Sequence, residues 1–183
     1  FDHVERVIYA FTLNDPKRSA RVEGMAQSIF DFMHLRENQM EPILPLGADQ
    51  VDSQLLRFFA KRIARKRLSE STIKWYRELF AETMGWDLTK RMLVDMHRFC
   101  REHGASMTLV VFPLFHNLKD YPFAEIHRKI GDFARESGID YVDLLPAFVG
   151  EDERDYWVHP RDFHPNHLAH RKAADVLMTA IDW

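Results

Sequence analysis

The run Met107-Thr108-Leu109-Val110-Val111-Phe112, closed by Pro113, decides the fold class. Its length and unbroken apolar character suit a strand buried on both faces, as in a parallel sheet. A second such run, Arg6–Leu13 (RVIYAFTL), stops at Asn14-Asp15-Pro16, a turn signal with a proline that cannot continue the ladder. A third and shorter run, Ile139–Leu144 (IDYVDL), also has strand character.

Around these runs the apolar period becomes helical. Pro122–Glu136 places Phe123, Ile126, Ile130 and Phe133 on one side and is ended by Gly138. Asp87–Glu102 carries a stripe of Leu93, Met96 and Phe99 and is ended by Gly104. Ser71 or Thr72 is expected to cap a helix bearing Trp75, Tyr76, Leu79 and Phe80. A helix from Asp49 has Leu55, Phe59 and Ile63 at four-residue spacing and ends in the basic stretch Lys61–Arg67. Arg21–Arg36 is weakly helical, and Glu41–Ala48, with two prolines and a glycine, reads as a loop. The last helix, Asn166–Ile181, is expected to pack Leu168, Ala173, Val176 and Leu177, with Pro165 in its favoured first-turn place.

Strands alternating with helices in this order predict an α/β domain with a parallel sheet between helical layers. The 183 residues fit one domain, with residues 50–103 read as a helical insert or cap. The apolar fraction of 46% and charged fraction of 29% exclude disorder and fibrous classes. A net charge of −3 gives no reason to expect a nucleic-acid partner. The single cysteine, Cys100, excludes a disulfide framework within the chain and falls on the apolar side of a helix. No apolar run approaches the ~18 residues that cross a bilayer.

Ligands of open α/β sheets bind beyond the carboxyl ends of the strands. The segments to inspect are therefore Asn14-Asp15, Pro113–His116, and His159-Pro160-Arg161-Asp162-Phe163-His164-Pro165-Asn166. In the last of these, Asp162 and His164 stand two positions apart. In extended chain they project to the same side, roughly 6.5–7 Å apart at the backbone. A carboxylate there can hold the imidazole in one tautomer and leave its other nitrogen free as a base. The competing reading is a surface Asp–His pair at a helix start.

Asp162-x-His164-Pro165-Asn166, followed by His170 and a helix rich in alanine and leucine, resembles the last motif block of the SGNH/GDSL hydrolase superfamily. The strand ending in Asn14-Asp15 resembles the family's third block. Val110–Phe115 and Tyr141–Leu145 also have counterparts in many members. The similarity spans residues 5–15 and roughly 72–181. It implies a three-layer α/β/α, flavodoxin-like fold and a serine esterase without cofactor or metal. His164 would be the general base, Asp162 its orienting acid, and Asn14 a donor to the oxyanion.

Two departures from the family stand out. The acid lies two residues before the histidine instead of three, with Arg161 in the usual place. The family's Gly-Asp-Ser block, and the block whose glycine N–H lines the oxyanion hole, have no counterpart. None of Ser19, Ser28, Ser53, Ser69, Ser71, Ser106 and Ser137 has the setting of that nucleophile. In a flavodoxin-like order Arg6–Leu13 would then expose an unpaired apolar edge. Strands missing from the N-terminal side, and the serine with them, are expected upstream of Phe1 or in a companion chain.

Other signals are weaker. His159, His164, His167 and His170 invite a metal reading, but no nearby carboxylate or cysteine completes a familiar pattern. The basic, phenylalanine-bearing stretch Phe58–Leu68 reads as a core-facing helix before it reads as a membrane contact. Among the aromatics, Tyr156 and Trp157 stand closest to the Asp–His segment and could stack on a sugar. The expectation is a carboxylic ester hydrolase acting on an acylated carbohydrate or lipid. The alternative is a ligand-binding module that has lost its nucleophile.

Overall fold

The computed structural model describes residues 4–16, 69–81, 84–160 and 162–181. Among these, strands β1 (Arg6–Phe11), β2 (Ser106–Val111) and β3 (Asp140–Asp143) form a parallel sheet in that order. The helices are α1 (described over 69–79), α2 (Met84–Glu102), α3 (Ala124–Glu136), α4 (Leu145–Phe148) and α5 (His167–Ala180). Two short strands, β4 (Trp157–His159) and β5 (Asp162–Pro165), pair antiparallel in a segment for which the sequence predicts no strand pairing. The chain is mixed α/β with a parallel sheet.

The register runs from Arg6 opposite Ser106 to Phe11 opposite Val111, and from Thr108 opposite Asp140 to Val111 opposite Asp143. Paired residues share a face. Tyr9, Phe11, Met107, Leu109, Val111 and Tyr141 therefore meet Tyr76 of α1, Phe80 just after it, Trp86 and Leu93 of α2, and Ile126 and Ile130 of α3. On the other face, Val110 and Val142 meet Phe148, Ala169 and Ala173 of α4 and α5. Leu109 and Val110 are both fully buried although they point to opposite faces, which is why this strand reads as continuously apolar. Each such side chain contributes about 1.5–3 kcal/mol.

Gly104 and Gly138 end α2 and α3 in the same way. Their φ angles of 75° and 66° are left-handed. Ala105 N–H reaches Cys100 O (2.9 Å) while Gly104 N–H reaches Arg101 O (3.1 Å). Ile139 and Gly138 repeat the pattern on Ala134 and Arg135. These double bonds satisfy the last helical carbonyls and aim the chain into the next strand.

Several expectations need correction. The helix bearing Tyr76 is already formed at residue 69, so neither Ser71 nor Thr72 is its cap. The buried side of α2 runs through Trp86, Leu93 and Cys100, while Phe99 is 60% exposed and stacks on His103. Leu168 is exposed on the first turn of α5. Pro165 closes β5 instead of opening the helix, and Asn166 is the cap. Tyr156 belongs to the core. Apart from these corrections, residues 69–79 and 84–102, within the segment expected as a helical insert or cap, lie against one face of the sheet. The readings of Arg21–Arg36, Glu41–Ala48, the helix from Asp49, the stretch Phe58–Leu68 and Arg161 lie outside the described residues.

Candidate active site at the carboxyl end of the sheet

Because Phe11, Val111 and Asp143 stand level in the register, all three strands release their chains at one end. After β1, Thr12 closes a tight turn. Its N–H donates to Asp15 Oδ2 (2.9 Å), its hydroxyl donates to Asn14 Oδ1 (2.5 Å), and Asp15 N–H returns to Thr12 O (3.0 Å). Asn14 is exposed and held by its carbonyl end, and its amide makes no hydrogen bond among the described residues.

After β2 the segment Pro113–His116 is fastened at three consecutive residues. Leu114 N–H donates to Tyr121 Oη (3.0 Å), and Phe115 O accepts from Trp157 Nε1 (2.9 Å). His116 Nε2 lies 3.0 Å from Ser69 Oγ. The Trp157 bond ties this segment to the β4–β5 hairpin.

Asp162 and His164 lie on β5. Asp162 Oδ1 accepts from His164 Nδ1 (2.5 Å) and from the His164 backbone N–H (3.1 Å). These bonds, the imidazole contact first, hold the Asp162 carboxyl below the usual carboxylate range. Asp162 thus fixes the Nδ1–H tautomer. His164 Nε2 makes no hydrogen bond among the described residues, and the side chain is 85% exposed. An imidazole held at one nitrogen and open at the other has the geometry that a general base requires.

Asn166 explains the motif's last position. Its Oδ1 accepts from Leu168 N–H (2.9 Å) and Ala169 N–H (3.1 Å), capping α5. Its Nδ2 donates to Asp155 O (2.9 Å) and Trp157 O (3.1 Å), and its own N–H reaches Tyr156 O (2.8 Å). One side chain joins hairpin and helix directly behind His164. Asn166→Ala is expected to cost about 0.5–2 kcal/mol for the cap alone. Asn166→Asp keeps the cap acceptor but turns a carboxylate oxygen toward the carbonyls of Asp155 and Trp157, so thermal melts should place both variants below wild type.

The structure brings Asp162 and His164 together, and no hydrogen bond joins Asn14 to them. No described serine bonds His164. Two further arrangements escape sequence reasoning. One is Ser69–His116, whose histidine lies in a segment already singled out. The other is a buried chain in which Asp143 Oδ1 bonds His127 Nδ1 (2.7 Å) and His127 Nε2 bonds Tyr121 Oη (3.1 Å). Spacing gives no sign of it, because its members sit on different elements. Trp157 is half-buried, its indole committed to Phe115 and its ring 4.5 Å from Phe163. Tyr156 is buried and committed to Glu151 and Lys172, so it is not an open sugar platform.

Grooves lined by Ile73, Lys74 and Arg77, and by Trp86, Lys90, Lys129 and Phe133, do not include the pair. Among the described residues no His, Cys, Asp and Glu group forms a metal-binding cluster, and no helix is long and apolar enough to cross a membrane. Comparison with protein-family models, curated proteins and solved structures returned no match.

Proposed function

We propose that the chain is the base-carrying part of a serine ester hydrolase of the SGNH type, flavodoxin-like in fold and organised as one domain. The observation that carries this reading is the Asp162–His164 pair on β5, with Nδ1 engaged and Nε2 open to solvent. The order of Asn14-Asp15 after the first strand and Asp162-x-His164-Pro165-Asn166 before the last helix supports it. The nucleophile is assigned to a serine outside residues 1–183, upstream or in a companion chain. Its strand would lie on the side of β1 away from β2, where no strand pairs with it among the described residues.

In this mechanism the serine hydroxyl attacks the ester carbonyl while His164 Nε2 takes its proton. The tetrahedral intermediate expels the alcohol, which receives that proton from His164. Water then enters by the same base and releases the acid. Asp162 orients the ring and stabilises the imidazolium throughout. The Asn14 amide, presented outward by the Thr12 bond, donates to the oxyanion, a contribution of ~2.7–4 kcal/mol in comparable sites. The substrate class is an acyl ester of a carbohydrate or lipid, and the reaction needs no metal or cofactor.

The test is hydrolysis of nitrophenyl esters, from acetyl to octanoyl, by protein that includes the sequence preceding Phe1. Turnover of at least one chain length is the expected result. A folded protein inert toward the whole series would favour the binding-module reading instead.

A further inference from the structure

His127 sits on α3 with its side chain 1% exposed, and both ring nitrogens are engaged. The proton arrangement follows from what each neighbour can do. The Asp143 carboxylate only accepts, so His127 Nδ1–H donates to its Oδ1, which also accepts from Leu145 N–H (2.9 Å). In the neutral imidazole Nε2 is then an acceptor, and Tyr121 Oη gives it its proton while accepting from Leu114 N–H. Burial pushes the Tyr121 hydroxyl's ionisation up, which keeps it a donor. Tyr141 fixes the helix itself, its hydroxyl donating to His127 O (3.1 Å).

The chain does not stop at Leu114. Two peptide groups further, Phe115 O receives the Trp157 indole N–H, and Trp157 faces Pro165 in the β4–β5 ladder, next to His164. Three hydrogen bonds thus run from Asp143 through His127 and Tyr121 to Leu114, and the backbone of Leu114 and Phe115 joins them to a fourth, on the hairpin that holds the pair. Buried polar chains of this kind have one low-energy arrangement, and removing one member leaves the next unsatisfied.

We propose that His127 is a positioning residue for His164, acting through Tyr121 and the backbone of Leu114 and Phe115 to fix the angle of the hairpin. Its catalytic meaning rests on the esterase reading, whereas its geometry does not. A histidine that merely filled the core would have no hold on Trp157 or on His164.

NMR of this chain separates the two. Tyr121→Phe preserves the ring that packs at 5.6 Å from Phe123 but removes the hydroxyl. It should speed hydrogen exchange of the Trp157 indole by up to roughly tenfold, the loss expected for one such bond. It should also displace the titration midpoint of His164, while exchange at Ala173 in α5 stays as in wild type. Trp157→Phe, which cuts the series at its other end, should displace the same His164 midpoint and serves alone if Tyr121→Phe does not fold. An unmoved His164 midpoint in the variants that fold would overturn the proposal. So would acceleration at Ala173 equal to that at Trp157. Ester hydrolysis plays no part in this readout, so failure of the esterase reading and failure of the relay remain separate results.

Discussion

Replacing His164 by alanine should lower kcat for ester hydrolysis by roughly 10²–10⁴-fold, the range expected when a general base is removed. KM should change little, because the imidazole moves a proton and does not build the acyl pocket. Asp162→Asn should reduce kcat in the same direction by a route that is open to inspection. The amide no longer enforces the Nδ1–H tautomer, so a fraction of molecules would present a protonated Nε2 to the nucleophile. The pH dependence follows from the sign of the Asp162 shift. Its carboxyl is held below the ordinary range, so the stabilisation it gives the hairpin is present above the unfolded-state value. That stabilisation is lost only as pH falls through the lower folded-state value. Asp162 should therefore stay ionised, and keep its hold on the imidazole, at pH values where ordinary carboxylates already protonate. A stopped assay across pH should show Asp162→Asn less active than wild type down through the ordinary carboxylate range.

The largest loss of stability is expected from Phe148→Ala. Phe148 is fully buried beneath the segment that carries the site. Its ring meets Phe115 edge-on at 5.1 Å and Tyr156 edge-on at 5.1 Å, and the Lys172 ammonium lies 5.3 Å above it. Truncation removes a ring's transfer energy and leaves a cavity whose walls are fixed by α5 and the β2 exit. The cost should be about 3–5 kcal/mol. At roughly 2–4 °C per kcal/mol for a chain of this size, the melting temperature should fall by about 6–20 °C. Phe99→Ala is the matched control, since Phe99 is largely exposed and should change stability by less than about 0.5 kcal/mol.

The contrast between those two phenylalanines shows how far sequence reading reaches. A stripe through Leu93, Met96 and Phe99 and one through Trp86, Leu93 and Cys100 both satisfy a helical period. Which of them faces inward is set by the position of the sheet, and that position is not written in the helix. β2 was legible because burial on both faces leaves no polar alternation to misread, as Leu109 and Val110 illustrate, whereas β1 is as apolar in sequence with Ile8 exposed. The helix ends at Gly104 and Gly138 were legible because the left-handed turn is local chemistry. So was the Asp162–His164 pair, whose two residues meet through extended backbone alone. The β4–β5 hairpin escaped because three- and four-residue strands are too short for a period to show. Leu168 was assigned to the core from its helical phase, but it lies on the first turn, outside the part of α5 that covers Val110. His127 escaped for a different reason. Its partners lie 6 and 16 residues away on separate elements, and only the assembled sheet brings them into line.

The central claim is that His164 serves a serine lying outside residues 1–183. Labelling with a fluorophosphonate, in protein that includes the preceding sequence, tests it most directly when the modified residue is mapped by mass spectrometry. The expected result is one modified serine upstream of Phe1, with labelling abolished in His164→Ala. Modification of Ser69, the serine held 3.0 Å from His116, with labelling undiminished in His164→Ala, would contradict the claim and move the chemistry to another histidine.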